Sequence, residues 1–487
     1  MKFLAAAAAL IRIALLAGSA ALASASAIKF QQLPLAAAAT SRTPALTSAQ
    51  DGNLFVSWTE PTGEGATALR VARFDRETNA WFSPVTIATG ADWFINDRDT
   101  PTITAGLRGR VAAIWYAENP AGGYHARFSD SEDYGASWSA PARITTESER
   151  QEFVQLAALL NGNWLAIWLD GREATATQLR SRVVGHDETD TLVDEQVCDC
   201  CPLSLLVLPN GVVLTAYRDR SETEVRDIAY RAYRRGDWRE TSAPNADGWV
   251  IEGCPVNGPH LSRRSGHVAA TWFTAADDNP RVLVARSNNL GRTWTAATRI
   301  DDPDQPTSGS PKVVVLRDGT HWVSWLETNG HLAFRALHGN GAVGIIYRHA
   351  GPSEGRPHMR ILHNRSDQAA QLLIVQSRGG RVVTEIATLP YDGEPTIDDC
   401  GCSPAEAALR GYPVRGRIVS LLPERSALLV DHEEIPGVMA AMTMAFQVDP
   451  RVLEAVEPGQ TITGRLERRD DDPKWWLFRI RIISDGS

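Results

Sequence analysis

Four soft donors stand close together near the carboxyl end of the chain. They are His432, Met439, Met442 and Met444, within Val430-Asp431-His432-Glu433-Glu434-Ile435-Pro436-Gly437-Val438-Met439-Ala440-Ala441-Met442-Thr443-Met444-Ala445-Phe446. The chain has only 5 Met in 487 residues, so three of them within six positions is a strong compositional departure. Met442 and Met444 alternate, so on a strand their thioethers point to one face. His432 closes the preceding apolar run, and Met439 lies on the loop between. One imidazole with two or three thioethers is a neutral, polarisable donor set. It suits Cu(I), or Ag(I), and not Zn²⁺ or Mg²⁺. Thioethers need no deprotonation, so such a site works wherever the imidazole is neutral. The alternative is that these Met are core filler. Phe446 and Val448 share the same parity and already supply a core face without them.

A second group is cysteine: Cys198, Cys200, Cys201, Cys254, Cys400 and Cys402. Six Cys in an exported chain would by default form three disulfides. The crowding of Cys198, Cys200 and Cys201 leaves a soft-metal thiolate site open as well.

The tail that positions the His/Met group reads as five strands, Val414–Leu421, Ala427–Asp431, Met442–Val448, Thr461–Leu466 and Trp475–Ile483, with a helical turn at 450–455. That strand count in so short a span suits a small OB-like barrel over 412–487. The D-H-x-x-I-P…M-x-x-M-T-M-x-F pattern resembles the CusF-like periplasmic copper chaperones of silver/copper efflux systems. The resemblance implies Cu(I) held by the residues matching the family's His and its M-T-M pair, here His432, Met442 and Met444. Some family members carry a capping Trp three residues before the first of these Met. Here that position is Met439, so the cap is lost and Met439 is a candidate third sulfur. Trp475 and Trp476, on the last strand, are expected to serve packing, with a reach to the metal left open.

Upstream, over 28–395, a hairpin signal recurs six times: a Gly turn followed six residues later by an aromatic. The pairs are Gly52/Trp58, Gly109/Trp115, Gly162/Trp168, Gly211/Tyr217, Gly266/Trp272 and Gly319/Trp325. Aromatic spacings of 57, 53, 49, 55 and 53 residues indicate a β-propeller, because one four-stranded blade cannot bury both faces alone. A degenerate seventh unit spans 356–390. The strand Ile28 to Leu35 has no partner except that last blade, so pairing there would close the ring. The fold class is all-β, with seven blades expected and six as the alternative.

Ser131-Glu132-Asp133-Tyr134-Gly135-Ala136-Ser137-Trp138 and Ser287-Asn288-Asn289-Leu290-Gly291-Arg292-Thr293-Trp294 fit S-x-[DN]-x-G-x-[ST]-W. This is the Asp-box of sialidase-like (BNR-repeat) propellers, which the region resembles. The resemblance implies, for an active sialidase, three Arg holding a carboxylate, an Asp acid/base and a Tyr–Glu nucleophile pair. Arg42-Thr43-Pro44 matches the family's first Arg motif in part, so Arg42 is the catalytic candidate if the chain is an exo-sialidase. Arg218, Arg220, Arg226 and Arg356 qualify only as lying near strand ends.

In this frame Cys198–Cys201 lead into the inner strand of blade four, and Cys254 into that of blade five. Equivalent lead-ins on adjacent blades are neighbours, so Cys254 should approach the other three. A disulfide from Cys200 or Cys201 to Cys254, a Cu(I) thiolate site and a reactive thiol all remain open. Cys400 and Cys402 fall in a linker, 396–411, as relay ligands or as a disulfide.

Residues 1–27 read as a secretory signal: Lys2 and Arg12, an apolar stretch from Ile13 to Leu22, then Ala25-Ser26-Ala27. No later stretch could span a membrane. The charge of −9, and the absence of any Lys/Arg run, exclude a nucleic-acid binder. The reading is a periplasmic or secreted copper-binding protein, monomeric, with a protein partner for copper transfer and the propeller as binding platform. The alternatives are an exo-acting sialidase or glycoside hydrolase with a metal-binding tail, and a non-catalytic interaction propeller.

Overall fold

The computed structural model describes residues 28–389 and 412–483, apart from 50, 64, 120–121, 174, 188, 245, 265, 317, 363–369, 436–437, 449, 454 and 470–471. The expected signal segment, and the linker with Cys400 and Cys402, lie outside the described residues. The chain divides into two units, Met1–Asp392 and Gly393–Ser487.

The first unit is a propeller of seven antiparallel sheets. Their innermost strands are Arg42–Ser48, Thr102–Ala105, Gln151–Ala158, Ser204–Val207, His260–Arg264, Thr307–Val315 and Glu354–Leu362. The seventh sheet takes its outermost strand from the other end of the chain: Phe30–Leu33 pairs antiparallel with Arg381–Thr388, Phe30 opposite Ala387. The early strand therefore closes the ring as its lack of another partner requires. The six-bladed alternative is set aside. Blade one carries five strands rather than four, because Val85–Gly90 pairs alongside Ala80–Trp81 on the same neighbour.

Each aromatic of the repeat sits on the second strand of its blade and is at most 2% exposed. Each fills the gap toward the preceding blade. Trp58 packs with Leu373 and Val375 of blade seven, and Trp325 with Val282 and Val284 of blade five. A large aromatic removes roughly 150–250 Å² from water, about 4–6 kcal/mol per position at ~25 cal/mol per Å², before ordering entropy. The signal fades in blade seven for a visible reason. The equivalent face carries Gln376, fully buried and bonded at 2.8 Å to Glu385, which also meets His349 at 2.9 Å. A polar trio replaces the indole there.

Both S-x-[DN]-x-G-x-[ST]-W turns have the geometry expected of the pattern. Asp133 accepts from the Ser137 N–H at 2.8 Å and its hydroxyl at 2.6 Å, while Gly135 takes φ +83°. Those bonds, the hydroxyl's first, lower the Asp133 pKa to about 2. Asn289 accepts from the Thr293 N–H at 2.9 Å in the second turn.

The second unit is a closed barrel of five strands, Tyr412–Leu422, Ala427–His432, Met442–Gln447, Thr461–Arg469 and Asp472–Ile483. The first strand pairs with both the second and the fourth, and the third meets the fifth in parallel at Gln447 and Trp476, which closes the barrel. Alternation puts Val414, Ile418, Leu428, Val430, Phe446 and Val448 inside. Trp475 packs at the barrel core against Tyr412 and Trp476 stacks on Phe478, in keeping with packing roles. Among the described residues no helix is long and apolar enough to cross a membrane.

Candidate metal centre

The second and third barrel strands pair antiparallel with His432 directly opposite Met442 and Val430 opposite Met444. Directly opposed residues share a face, so the imidazole and both thioethers lie on the inward face of the barrel wall. Met444 is the diagonal neighbour of His432, a separation that long side chains span. Along this face burial rises from one end to the other. Met442 is 46% exposed at the rim, Met444 is half-buried, and Phe446 is fully buried in the core. The Met pair thus occupies the open end of the face whose deeper part is ordinary core.

His432 is 2% exposed. Its Nδ1 lies 2.7 Å from the Glu433 carbonyl oxygen. A carbonyl only accepts, so Nδ1 donates, and in the neutral ring Nε2 is left with the lone pair. That Nε2 is buried and has no hydrogen-bond partner. An unsatisfied buried acceptor costs about 1–3 kcal/mol. Fixing one ring nitrogen on a backbone carbonyl to present the other is the usual orientation device for ligating histidine.

The loop between the two strands folds back at its base. The Ile435 N–H donates to the Met439 carbonyl at 2.9 Å, and the Met439 N–H to the Ile435 carbonyl at 3.1 Å. Met439 is half-buried against the barrel core. On the outer face Thr443 donates to Asp431 at 3.0 Å, locking the register that opposes His432 and Met442.

Two contributors were not singled out from sequence. One is the Glu433 carbonyl, invisible to any side-chain pattern. The other is Gly416, paired with His432 on the first strand. A Cβ there would lie 2.6 Å from the Asp431 carbonyl oxygen and 2.8 Å from the His432 Cα. Its only signal is a lone Gly inside an apolar strand, which marks close backbone approach.

In the propeller, Cys254 pairs with Cys200, of the two partners left open. Cys198 and Cys201 are free thiols, both buried, with their sulfurs 3.4 Å apart. The default of every cysteine in a disulfide therefore fails here. Arg226 donates to Cys198 Sγ at 3.3 Å. The Cys201 thiol, a backbone N–H and this guanidinium lower the Cys198 pKa, while burial and the neighbouring Cys198 raise that of Cys201.

The innermost strands of all seven blades line a cavity of about 800 Å³. Arg42, Asp99, Lys312, Arg356 and Arg360 are on its wall. Burial pushes the Asp99 pKa up to about 8 and brings that of Lys312 down to about 7. Several arginines considered for a carboxylate clamp are spent internally. Arg218 donates to the carbonyls of Asn257, Arg226 and Phe273, and Arg356 to those of Arg98 and Val256. Arg220 and Arg226 both pair with Glu224. Arg42 itself is exposed.

Residues 411–475 match the family model described as copper binding periplasmic protein CusF. No curated protein matches the chain. Among solved structures, the BP39L lectin from Burkholderia pseudomallei is similar at 12% identity and a TM-score of 0.52, covering 72% of this chain and 97% of that one. The Hadza microbial sialidase Hz136 is similar at 11% identity and a TM-score of 0.42, covering 72% and 66%. At 12% identity the likeness to the lectin shows the fold alone and nothing of its chemistry.

Proposed function

We propose that the chain is an exported copper-binding protein whose C-terminal barrel holds Cu(I), and Ag(I) in the same way, between His432 Nε2 and the thioethers of Met442 and Met444. Met439 is the third sulfur, in the place where a capping Trp stands in some CusF-like proteins. The observation that carries this reading is the buried, unpartnered Nε2 on the face shared with Met442 and Met444. The match of 411–475 to a periplasmic copper-binding family supports both the metal and an exported location.

The donor set is neutral, so a bound monovalent ion keeps its charge near the barrel rim. Exposed Met442 then acts as the displaceable ligand: it swings away first, and an incoming soft donor takes its position. Cu(I) passes in this way to a protein partner by stepwise ligand exchange. The overall negative charge favours cation approach. The chain works as a monomer, with the propeller as a binding platform.

X-ray absorption at the copper edge tests this on the full chain, loaded anaerobically with one equivalent of Cu(I) after alkylation of its free thiols. One nitrogen and two or three sulfur neighbours are expected. A spectrum fitted by nitrogen and oxygen donors alone contradicts the reading.

A further inference from the structure

We propose that Cys198, Cys200, Cys201 and Cys254 form a thiol–disulfide exchange centre in the propeller, with Cys198 as nucleophile and Cys254 as the outward sulfur. The Cys198 sulfur lies 3.7 Å from that of Cys200, which is bonded to Cys254, and 3.4 Å from that of Cys201. Cys198 and Cys201 are buried, Cys200 is half-buried and Cys254 is exposed. Two thiols thus lie in the interior, and the disulfide beside them runs outward to the surface.

The scaffold holds this arrangement firmly. Arg218 ties the two lead-in segments together, accepting the Cys198 N–H on its own carbonyl and donating to the Asn257 carbonyl at 3.0 Å. A Cβ on Gly258 would overlap the Pro202 carbonyl, so the segments touch backbone to backbone. Val256 sits at φ +53°, a conformation that a β-branched residue adopts only under constraint. Arg226 hydrogen-bonds Cys198 Sγ and favours its thiolate, the reactive form in exchange.

The exchange needs no outside reagent. The Cys198 thiolate attacks Cys200 Sγ. A Cys198–Cys200 bond forms, the Cys200–Cys254 bond breaks, and Cys254 leaves with the electron pair and takes a proton from solvent. Cys201, as thiolate, then attacks Cys198 Sγ, forming Cys198–Cys201 and releasing the Cys200 thiolate. One disulfide and two thiols are present before and after, but the thiol pair has moved outward. There it reduces an external disulfide RSSR. Cys254 attacks one sulfur and expels RS⁻, then Cys200 attacks Cys254 Sγ, restoring Cys200–Cys254 and expelling the second RS⁻. Two electrons have passed to the external disulfide, and the protein is left with both disulfides.

The test uses metal-free full-length protein equilibrated in a glutathione redox buffer near neutral pH, acid-quenched, alkylated and mapped by peptide mass spectrometry. In the form with one disulfide, both the Cys200–Cys254 and the Cys198–Cys201 linkages are expected, with Cys254 alkylated in part of the molecules. Cys200–Cys254 as the sole linkage, with Cys254 never alkylated, overturns the proposal. Cys198→Ser should abolish Cys254 alkylation and slow reduction of oxidised glutathione at least tenfold. Arg226→Gln keeps all four sulfurs and should also slow that reduction, with both linkages still found. Unchanged rates in both variants also overturn it. Because no copper is present, the outcome is independent of the His/Met site.

Discussion

His432 and Met442 face each other directly across an antiparallel strand pair, one 2% and the other 46% exposed. A buried, oriented imidazole beside an accessible thioether gives a site with one fixed and one displaceable arm. Met444, the diagonal neighbour, is half-buried against the barrel core. The two methionines should therefore separate in their stability effects while agreeing in their effect on copper. Met442→Ala should leave the urea midpoint of the barrel nearly unchanged. Met444→Ala should cost about 1–2 kcal/mol, below the ~2–5 kcal/mol of a fully buried Met. Each should weaken Cu(I) binding by at least the roughly 10–100-fold typical of losing a supporting contact at a metal site. Competition with a Cu(I) chelator, alongside urea denaturation, measures both.

Gly416 gives a test that removes no ligand. Its position allows the first barrel strand to lie against the backbone of Asp431 and His432. Gly416→Ala places a methyl group against backbone atoms, which cannot rotate away. His432 should shift from its position opposite Met442, and Cu(I) affinity should fall while the Met donors stay intact. A chelator competition showing unchanged affinity in a folded Gly416→Ala protein would remove this supporting role.

Asp99 sets a pH dependence of the propeller. It is 4% exposed, its Oδ2 has no partner, and burial lifts its pKa to about 8, so the folded form binds a proton that the unfolded form has lost. The contribution is fully present below the unfolded carboxyl pKa of 3.8 and declines as pH rises through about 8. Asp99→Asn mimics the protonated form. It should flatten the fall of melting temperature between about pH 4 and 8 and raise it by several degrees above pH 8 relative to the unmodified chain. Parallel curves for the two proteins across that range would contradict this assignment.

Ring closure rests on a strand far away in sequence. Thr384 donates to the Leu33 carbonyl at 2.6 Å, and Phe30 packs 5.6 Å from Phe334. Deleting residues 28–35 leaves the strand Arg381–Thr388 as an open edge. A lower melting temperature and concentration-dependent association by light scattering are expected; a stable, non-associating deletion protein would show that closure contributes little.

Much of this was legible because large side chains repeat where packing demands them. The Gly–aromatic spacing marks six blades, since each aromatic fills one gap between sheets. The seventh was visible only through its strands and its need for an outer partner, because Gln376, His349 and Glu385 occupy the position of the aromatic. In the barrel, the alternation of Met442 and Met444 and the nearness of His432 fixed the shared face. The imidazole tautomer was not legible, since it depends on the Glu433 carbonyl. Neither was Gly416, whose role is the space it leaves. The choice of Cys200 over Cys201 for Cys254 turns on side-chain direction within one short loop, which spacing does not encode. That Arg218 is a structural tie rather than a ligand clamp needed its three carbonyl partners to be seen.

The most direct measurement is an anaerobic Cu(I) titration of the full chain, thiols alkylated, against a competing chelator, beside His432→Ala, Met442→Ala, Met444→Ala combined. The unmodified residues should take up one equivalent tightly and the triple variant should lose that stoichiometric binding while keeping its strand content by circular dichroism. Equal binding by the two proteins would contradict a copper site built from these three side chains.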